Sequence, residues 1–280
     1  MPKAFILLVL LLAGPSWSHG QSVGATDTLT VYLFPGLGLD GRLFQHLSLP
    51  YRVKTINWVP VEKKETLPHY ALRLAGQLDT TTAYALVGVS FGGMCASEIA
   101  KVYRPAHTVL ISSAASRQEI PLSIKQLKLL PLHRLFGDAG CRWYAHAARR
   151  TFGIRTPAEA QLFDAMLQTM PAHYFSRALD CILTWESVSP PPSPVRLHGD
   201  RDRILPGSKS PEVVRIAQGT HLMVLTQPES LRAALLQTLA GKPLSRKPTP
   251  LGGNGAVNES GPKQKDGLGA VSPSGRTRTR

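Results

Sequence analysis

Ala83-Tyr84-Ala85-Leu86-Val87-Gly88-Val89-Ser90-Phe91-Gly92-Gly93-Met94, continuing as Cys95-Ala96-Ser97-Glu98-Ile99-Ala100, decides how the rest of the chain is read. A short apolar run of strand type meets a glycine-flanked serine, and a helix-like segment follows at once. Gly88-Val89-Ser90-Phe91-Gly92 therefore reads as a sharp strand-to-helix turn with the Ser90 hydroxyl lifted above the sheet edge. A serine in such a turn has a strained backbone, and the residues two before and two after it must lack a Cβ. Gly88 and Gly92 meet that demand, and Gly93 allows the helix start to pack close to its strand. Ser90 would also sit at a helix N-terminus, where free N–H groups and the helix dipole favour developing negative charge.

Working outward, Leu29-Thr30-Val31-Tyr32-Leu33-Phe34 reads as a buried strand running into the glycine-rich loop Pro35-Gly36-Leu37-Gly38-Leu39-Asp40-Gly41. That loop has no Gly-Lys-Ser/Thr, and Gly36, Gly38 and Gly41 do not give G-x-G-x-x-G followed by an acid in a βαβ frame, so it lacks a phosphate-binding signature. Residues 52–59 read as a second strand, and 67–78 as a helix with apolar residues at Leu67, Ala71, Leu74, Ala75 and Leu78. After the Ser90 strand and its helix come strands over 107–113, 195–198 and 213–217, and an amphipathic helix over 228–240. Alternating strands and helices with continuous apolar runs predict an α/β protein. Its sheet is mostly parallel, of about six strands, with helices on both faces.

Between about 119 and 188 the pattern changes. Leu127, Leu129-Leu130, Leu135-Phe136, Trp143-Tyr144, Phe163, Met166-Leu167, Tyr174-Phe175 and Trp185 recur at helical spacings, which predicts a helical cap inserted between two strands. Its apolar residues are read as packing residues, with an apolar face over Ser90.

The ends differ from the middle. Lys3 is followed by ten apolar residues, 4–13, and then by small residues at Ser16, Ser18 and Gly20, which predicts a secretory leader over 1–20. The mature protein is then exported without an integral membrane span; an uncleaved membrane anchor is the alternative. Residues 241–280 hold eight Lys or Arg against Glu259 and Asp266, supply +6 of the net charge of +14, and carry almost no large apolar residue. They are expected to be a disordered basic tail, leaving one domain over 28–240. The other basic residues are scattered without interleaved aromatics, so no nucleic-acid partner is expected. Cys95, Cys141 and Cys181 are too few for a disulfide framework. Cys95 is expected to be buried, while a Cys141–Cys181 pair is left open by the sequence. No histidine or cysteine spacing matches a metal site, and no cofactor is predicted.

His198-Gly199-Asp200-Arg201-Asp202-Arg203-Ile204-Leu205-Pro206 resembles the His-Gly-x-x-Asp-x-x-x-Pro segment of the α/β-hydrolase superfamily. Gly219-Thr220-His221-Leu222-Met223-Val224 resembles the segment that carries its histidine. With the Gly-x-Ser-x-Gly turn these stand in the family order Ser, Asp, His, and the resemblance spans about 29–239. It implies a nucleophile at Ser90, a base at His221 and an acid at Asp202, with Asp200 as the alternative acid. It implies oxyanion N–H donors at Phe91 and Leu37, although Phe34-Pro35-Gly36-Leu37-Gly38 departs from the family's usual His-Gly form. The implied activity is hydrolysis of a carboxylic ester or related acyl bond in a small molecule, through an acyl-enzyme. An acyltransferase using the same residues, or a non-catalytic binding protein, are the alternatives. A serine at the turn argues against the dehalogenase and epoxide hydrolase branches, which use aspartate there.

Overall fold

A computed structural model of the chain describes residues 29–207 and 212–242. The leader expected over 1–20, and nearly all of the tail expected over 241–280, lie outside the described residues. Six strands form one sheet: β1 Thr30–Phe34, β2 Arg52–Thr55, β3 Tyr84–Val89, β4 His107–Ile111, β5 Val195–Gly199 and β6 Val213–Ile216. Their order is β2-β1-β3-β4-β5-β6, and every neighbouring pair is parallel. Helices cover both faces. The apolar runs explain this order. β1 and β3 are buried along their whole length, as central strands covered on both faces must be. β2 presents Arg52 and Lys54 as an exposed edge, which blunts pairing with another chain.

The chain leaves β1 towards the β2 edge and returns to β3 on the other side. This reversal places the carboxyl ends of β1 and β3 side by side, the position where open α/β sheets hold their ligands. β2 ends at Thr55, four residues before the expected end. After Ile56 the chain turns inward so that the Trp58 indole can donate to the Leu39 carbonyl at 2.7 Å.

α1 (Leu67–Ala75) is capped by Thr66, whose hydroxyl accepts from the His69 N–H, and it buries Leu67, Tyr70, Ala71 and Leu74. It ends before Leu78 because Gly76 closes it. α2 (Phe91–Val102) follows Ser90 directly and is buried through Ala100. Five helices then form the expected insertion between β4 and β5: α3 Leu122–Lys125, α4 Leu132–Leu135, α5 Gly137–Ala147, α6 Pro157–Leu167 and α7 Tyr174–Leu183. α8 (Met223–Thr226) and α9 (Pro228–Leu239) complete the described chain.

The cap is fixed to the sheet at its inner end. α7 turns Tyr174, Phe175, Ala178, Cys181 and Ile182 inward. Beyond it, the buried Trp185 indole donates to a carboxylate oxygen of Glu98 on α2 at 2.9 Å, and Lys101 donates to the same oxygen at 2.6 Å. The outer end corrects the sequence reading. Leu129, Leu130, Leu135, Phe136, Trp143 and Tyr144, expected to pack, are all exposed. Helical spacing records that these residues share faces, but not which face meets the core. All three cysteines are free thiols, so Cys141 and Cys181 are not paired. Cys95 is buried as expected, and the Cys181 thiol donates to the Glu65 carbonyl.

Candidate active site

Ser90 adopts φ 53° and ψ −120°, a left-handed backbone that a side chain tolerates only under constraint. The constraints are visible. Its N–H donates to the Ile111 carbonyl on β4 at 2.9 Å, and its own carbonyl accepts from the Ser113 hydroxyl at 2.7 Å. The Phe91 ring is buried among Trp58 and Tyr70, with centroids 5.4 and 6.1 Å away. The glycines do what the sequence suggested, with one refinement. A Cβ on Gly88 would lie 2.5 Å from the Gly92 carbonyl oxygen, inside the turn itself. A Cβ on Gly92 would instead overlap the carbonyl oxygens of Pro35 and Phe34, so this glycine serves the approach of the loop after β1. At Gly93 the obstacle would be the Ser113 hydroxyl, 2.5 Å away.

The Ser90 hydroxyl oxygen lies 3.0 Å from His221 Nε2. His221 Nδ1 in turn lies 2.9 and 3.1 Å from the two Asp202 carboxylate oxygens. Both His221 and Asp202 are buried. The loop after β5 also wraps the carboxylate with backbone donors, since the Ile204 and Leu205 N–H groups reach Asp202 Oδ1 at 2.9 and 3.0 Å. His198 Nε2 lies 3.2 Å from Asp202 Oδ2 and also meets the Leu205 carbonyl. Burial alone would raise the Asp202 pKa. The charge on His221, with hydrogen bonds from His198 and His221, outweighs burial and holds the carboxyl well below the usual carboxylate range. Asp200, the alternative acid, is exposed and makes no hydrogen bond to His221.

The loop after β1 reaches the same place. Gly36 comes within 3.8 Å of the Ser90 Cβ when given a Cβ of its own. The Leu37 and Phe91 N–H groups donate to no protein acceptor among the described residues. The loop is fixed from the cap side. Gly38, at φ 76°, lies so close to the Phe175 ring that any Cβ would overlap it. Thr169 donates to Asp40 at 3.0 Å, and Arg42 bridges Asp40 and the Ala165 carbonyl. An imidazole held between a hydroxyl and a buried carboxylate can take the hydroxyl proton while the carboxylate stabilises the imidazolium.

A family model described as the alpha/beta hydrolase family matches residues 9–234. The chain belongs to that family. It is an α/β-hydrolase-type enzyme. Comparison with curated proteins gives no match. Solved structures share its fold at low identity. A thermophilic esterase from Thermogutta terrifontis superposes with a TM-score of 0.59 at 19% identity, over 76% of this chain and 90% of that one. A hydrolase from Pseudomonas aeruginosa PA01 gives 0.58 at 15%, over 77% and 91%. A carboxylesterase structure from the thaumarchaeon Nitrososphaera gargenis gives 0.56 at 13%, over 76% and 90%.

Several contacts of this α/β-hydrolase were not visible in sequence motifs. The Phe152 ring lies 5.9 Å from the His221 ring, and the Phe152 carbonyl accepts from the Leu222 N–H at 3.0 Å. Next to it Gly153, at φ 101°, sits where a Cβ would overlap the Thr220 side chain. The cap thus touches the histidine loop as well as the loop after β1. A pairing of residues so far apart in sequence leaves no local signal; only the glycine at 153 hinted at a close approach. Beside Asp202, away from Ser90, a cavity of about 410 Å³ is lined by Arg150, Arg155, Arg201 and Arg203; neither Ser90 nor His221 lines it. Glu62, Glu65 and His69 cluster near α1, but the Glu65 oxygens are occupied by Arg73 at 3.0 Å and His69 at 2.7 Å. That group is an ion-pair network.

Proposed function

We propose that this α/β-hydrolase cleaves a carboxylic ester or related acyl bond of a small molecule through an acyl-enzyme on Ser90. The observation that carries the reading is the unbroken line from Ser90 Oγ through the His221 ring to the buried Asp202 carboxylate. His221 Nε2 takes the hydroxyl proton as Ser90 Oγ bonds to the acyl carbon, and the carbonyl π pair moves to oxygen. The resulting oxyanion is met by the Phe91 and Leu37 N–H groups, each worth about 3 kcal/mol in the transition state. As the tetrahedral centre collapses, the proton on His221 passes to the leaving alkoxide, and an alcohol departs. Water then repeats the sequence in reverse roles, releasing the acid and restoring Ser90.

The esterases named above support the substrate class by their shared fold. The test is labelling with a fluorophosphonate followed by peptide mass mapping, together with turnover of p-nitrophenyl acetate. Mass added on Ser90, and loss of both labelling and turnover in Ser90→Ala, are expected. A Ser90→Ala variant that turns over the ester at the wild-type rate would sink the reading. Product analysis with an added alcohol acceptor separates hydrolysis from acyl transfer.

A further inference from the structure

Helices α3 to α5 of the cap depart from the packing rule followed elsewhere in the molecule. Leu129 is 87% exposed, Leu135 75%, Trp143 71% and Leu122 70%, and Leu130, Phe136 and Tyr144 are each more than 60% exposed. Soluble monomers scatter such residues singly, and a run of them in one segment marks an interaction surface. On α5 the positions Phe136, Gly140, Trp143 and Tyr144 recur at helical spacing, with Phe136 lying directly over Gly140. The other side of the same helix, through Cys141 and Ala145, packs on the core. α5 is therefore apolar on both sides. α4 is inverted: its His133 is buried, with Nε2 2.8 Å from Asp180, while Leu132 and Leu135 face outward.

The charge around this face selects its partner. Residues 122–147, which span α3–α5, carry Lys125, Lys128, Arg134 and Arg142 against only Asp138. Asp138 accepts from the Ser176 hydroxyl and N–H, and Arg134 is paired with Asp180. Lys125 and Lys128 have no carboxylate partner among the described residues, whereas the Arg142 guanidinium lies 5.9 Å from the centre of the inward Phe175 ring. A second copy of the chain, joined about a two-fold axis, would bring these cations against their own kind. An anionic lipid surface answers both features. Its hydrocarbon takes the leucines, its headgroup layer suits Trp143 and Tyr144, and its phosphates meet Lys125 and Lys128. We propose that the outer face of α3–α5 is a docking surface for anionic lipid bilayers.

The full chain is tested by cosedimentation with vesicles of phosphatidylglycerol mixed with phosphatidylcholine, against phosphatidylcholine alone. Binding at least tenfold stronger to the anionic vesicles, and weakened by salt, is expected. Trp143 emission should shift to the blue on binding, a change lost in Trp143→Phe. The variant Leu129→Ser/Leu135→Ser/Trp143→Ser should melt like the wild type and bind the vesicles at least tenfold more weakly. No wild-type binding, or equal binding by the triple variant, overturns the proposal. So does a sedimentation dimer that the triple variant dissolves without any vesicle binding, which would assign the face to a second copy. Failure of iodide to quench Trp143 without vesicles would overturn it as well, showing the face already covered by the chain's own apolar residues.

Discussion

The carboxyl edge of the sheet and the outer cap helices are built on opposite terms. Around Ser90 polar side chains are tied within the chain: Asp202 takes two backbone N–H groups and two imidazoles, and Ser113 holds the Ser90 carbonyl. Beside it the rings of Trp58, Tyr70 and Phe91 pack on one another, with Tyr70 and Phe91 buried. In α3–α5 a histidine is turned inward while leucines and Trp143 face out. The first region is held by partners within the chain, and the outward leucines and Trp143 of the second are exposed. The difference separates residues that make the fold from residues the fold merely carries.

The largest effects should fall on the first region. His221→Ala should lower ester turnover by about 10⁴-fold or more, because members of such a unit act together; steady-state kinetics at saturating substrate reads it. Gly92→Ala should destabilise the chain by about 3 kcal/mol or more, since the new methyl overlaps the Pro35 carbonyl. Urea unfolding measures that loss, and a midpoint equal to wild type would break the account of how the loop after β1 approaches Gly92. Trp185→Phe leaves Glu98 with Lys101 but removes the indole donor, and should cost about 1–2 kcal/mol in the same assay.

The Asp202 carboxyl gives a pH signature with a fixed sign. Its pKa is lower in the folded than in the unfolded chain. Its contribution is thus fully present above the ordinary carboxylate range near pH 4, and is lost as pH falls through the folded value. The stability gap between wild type and Asp202→Asn should therefore narrow as pH falls below about 4. The smallest effect belongs to the second region. Leu129→Ser should change stability by less than about 0.5 kcal/mol, and a larger loss would show that the outer cap does pack.

The sheet was legible because its signals are local. β3, the glycines around Ser90 and the helix that follows stand in one continuous segment, and steric demand alone assigns each glycine a place. The meeting of Ser90, Asp202 and His221 was foreseen through the resemblance and its order of segments, and the structure sets their side chains within hydrogen-bond reach. The cap was legible as helices and illegible as a surface. Phe175 and Trp143 look alike in sequence, yet one presses on Gly38 and the other faces solvent. That choice depends on how α5 and α7 rotate against the sheet, which contacts distant in sequence decide. The contact of Phe152 and Gly153 with the histidine loop was missed for the same reason.

That last contact ties the cap to the histidine loop. Where the Phe152 carbonyl accepts from Leu222 and Gly153 abuts Thr220, the residues on both sides of His221 are held by one turn of the cap. A displacement of the cap at this end would have to break the Phe152–Leu222 hydrogen bond or push Thr220 aside.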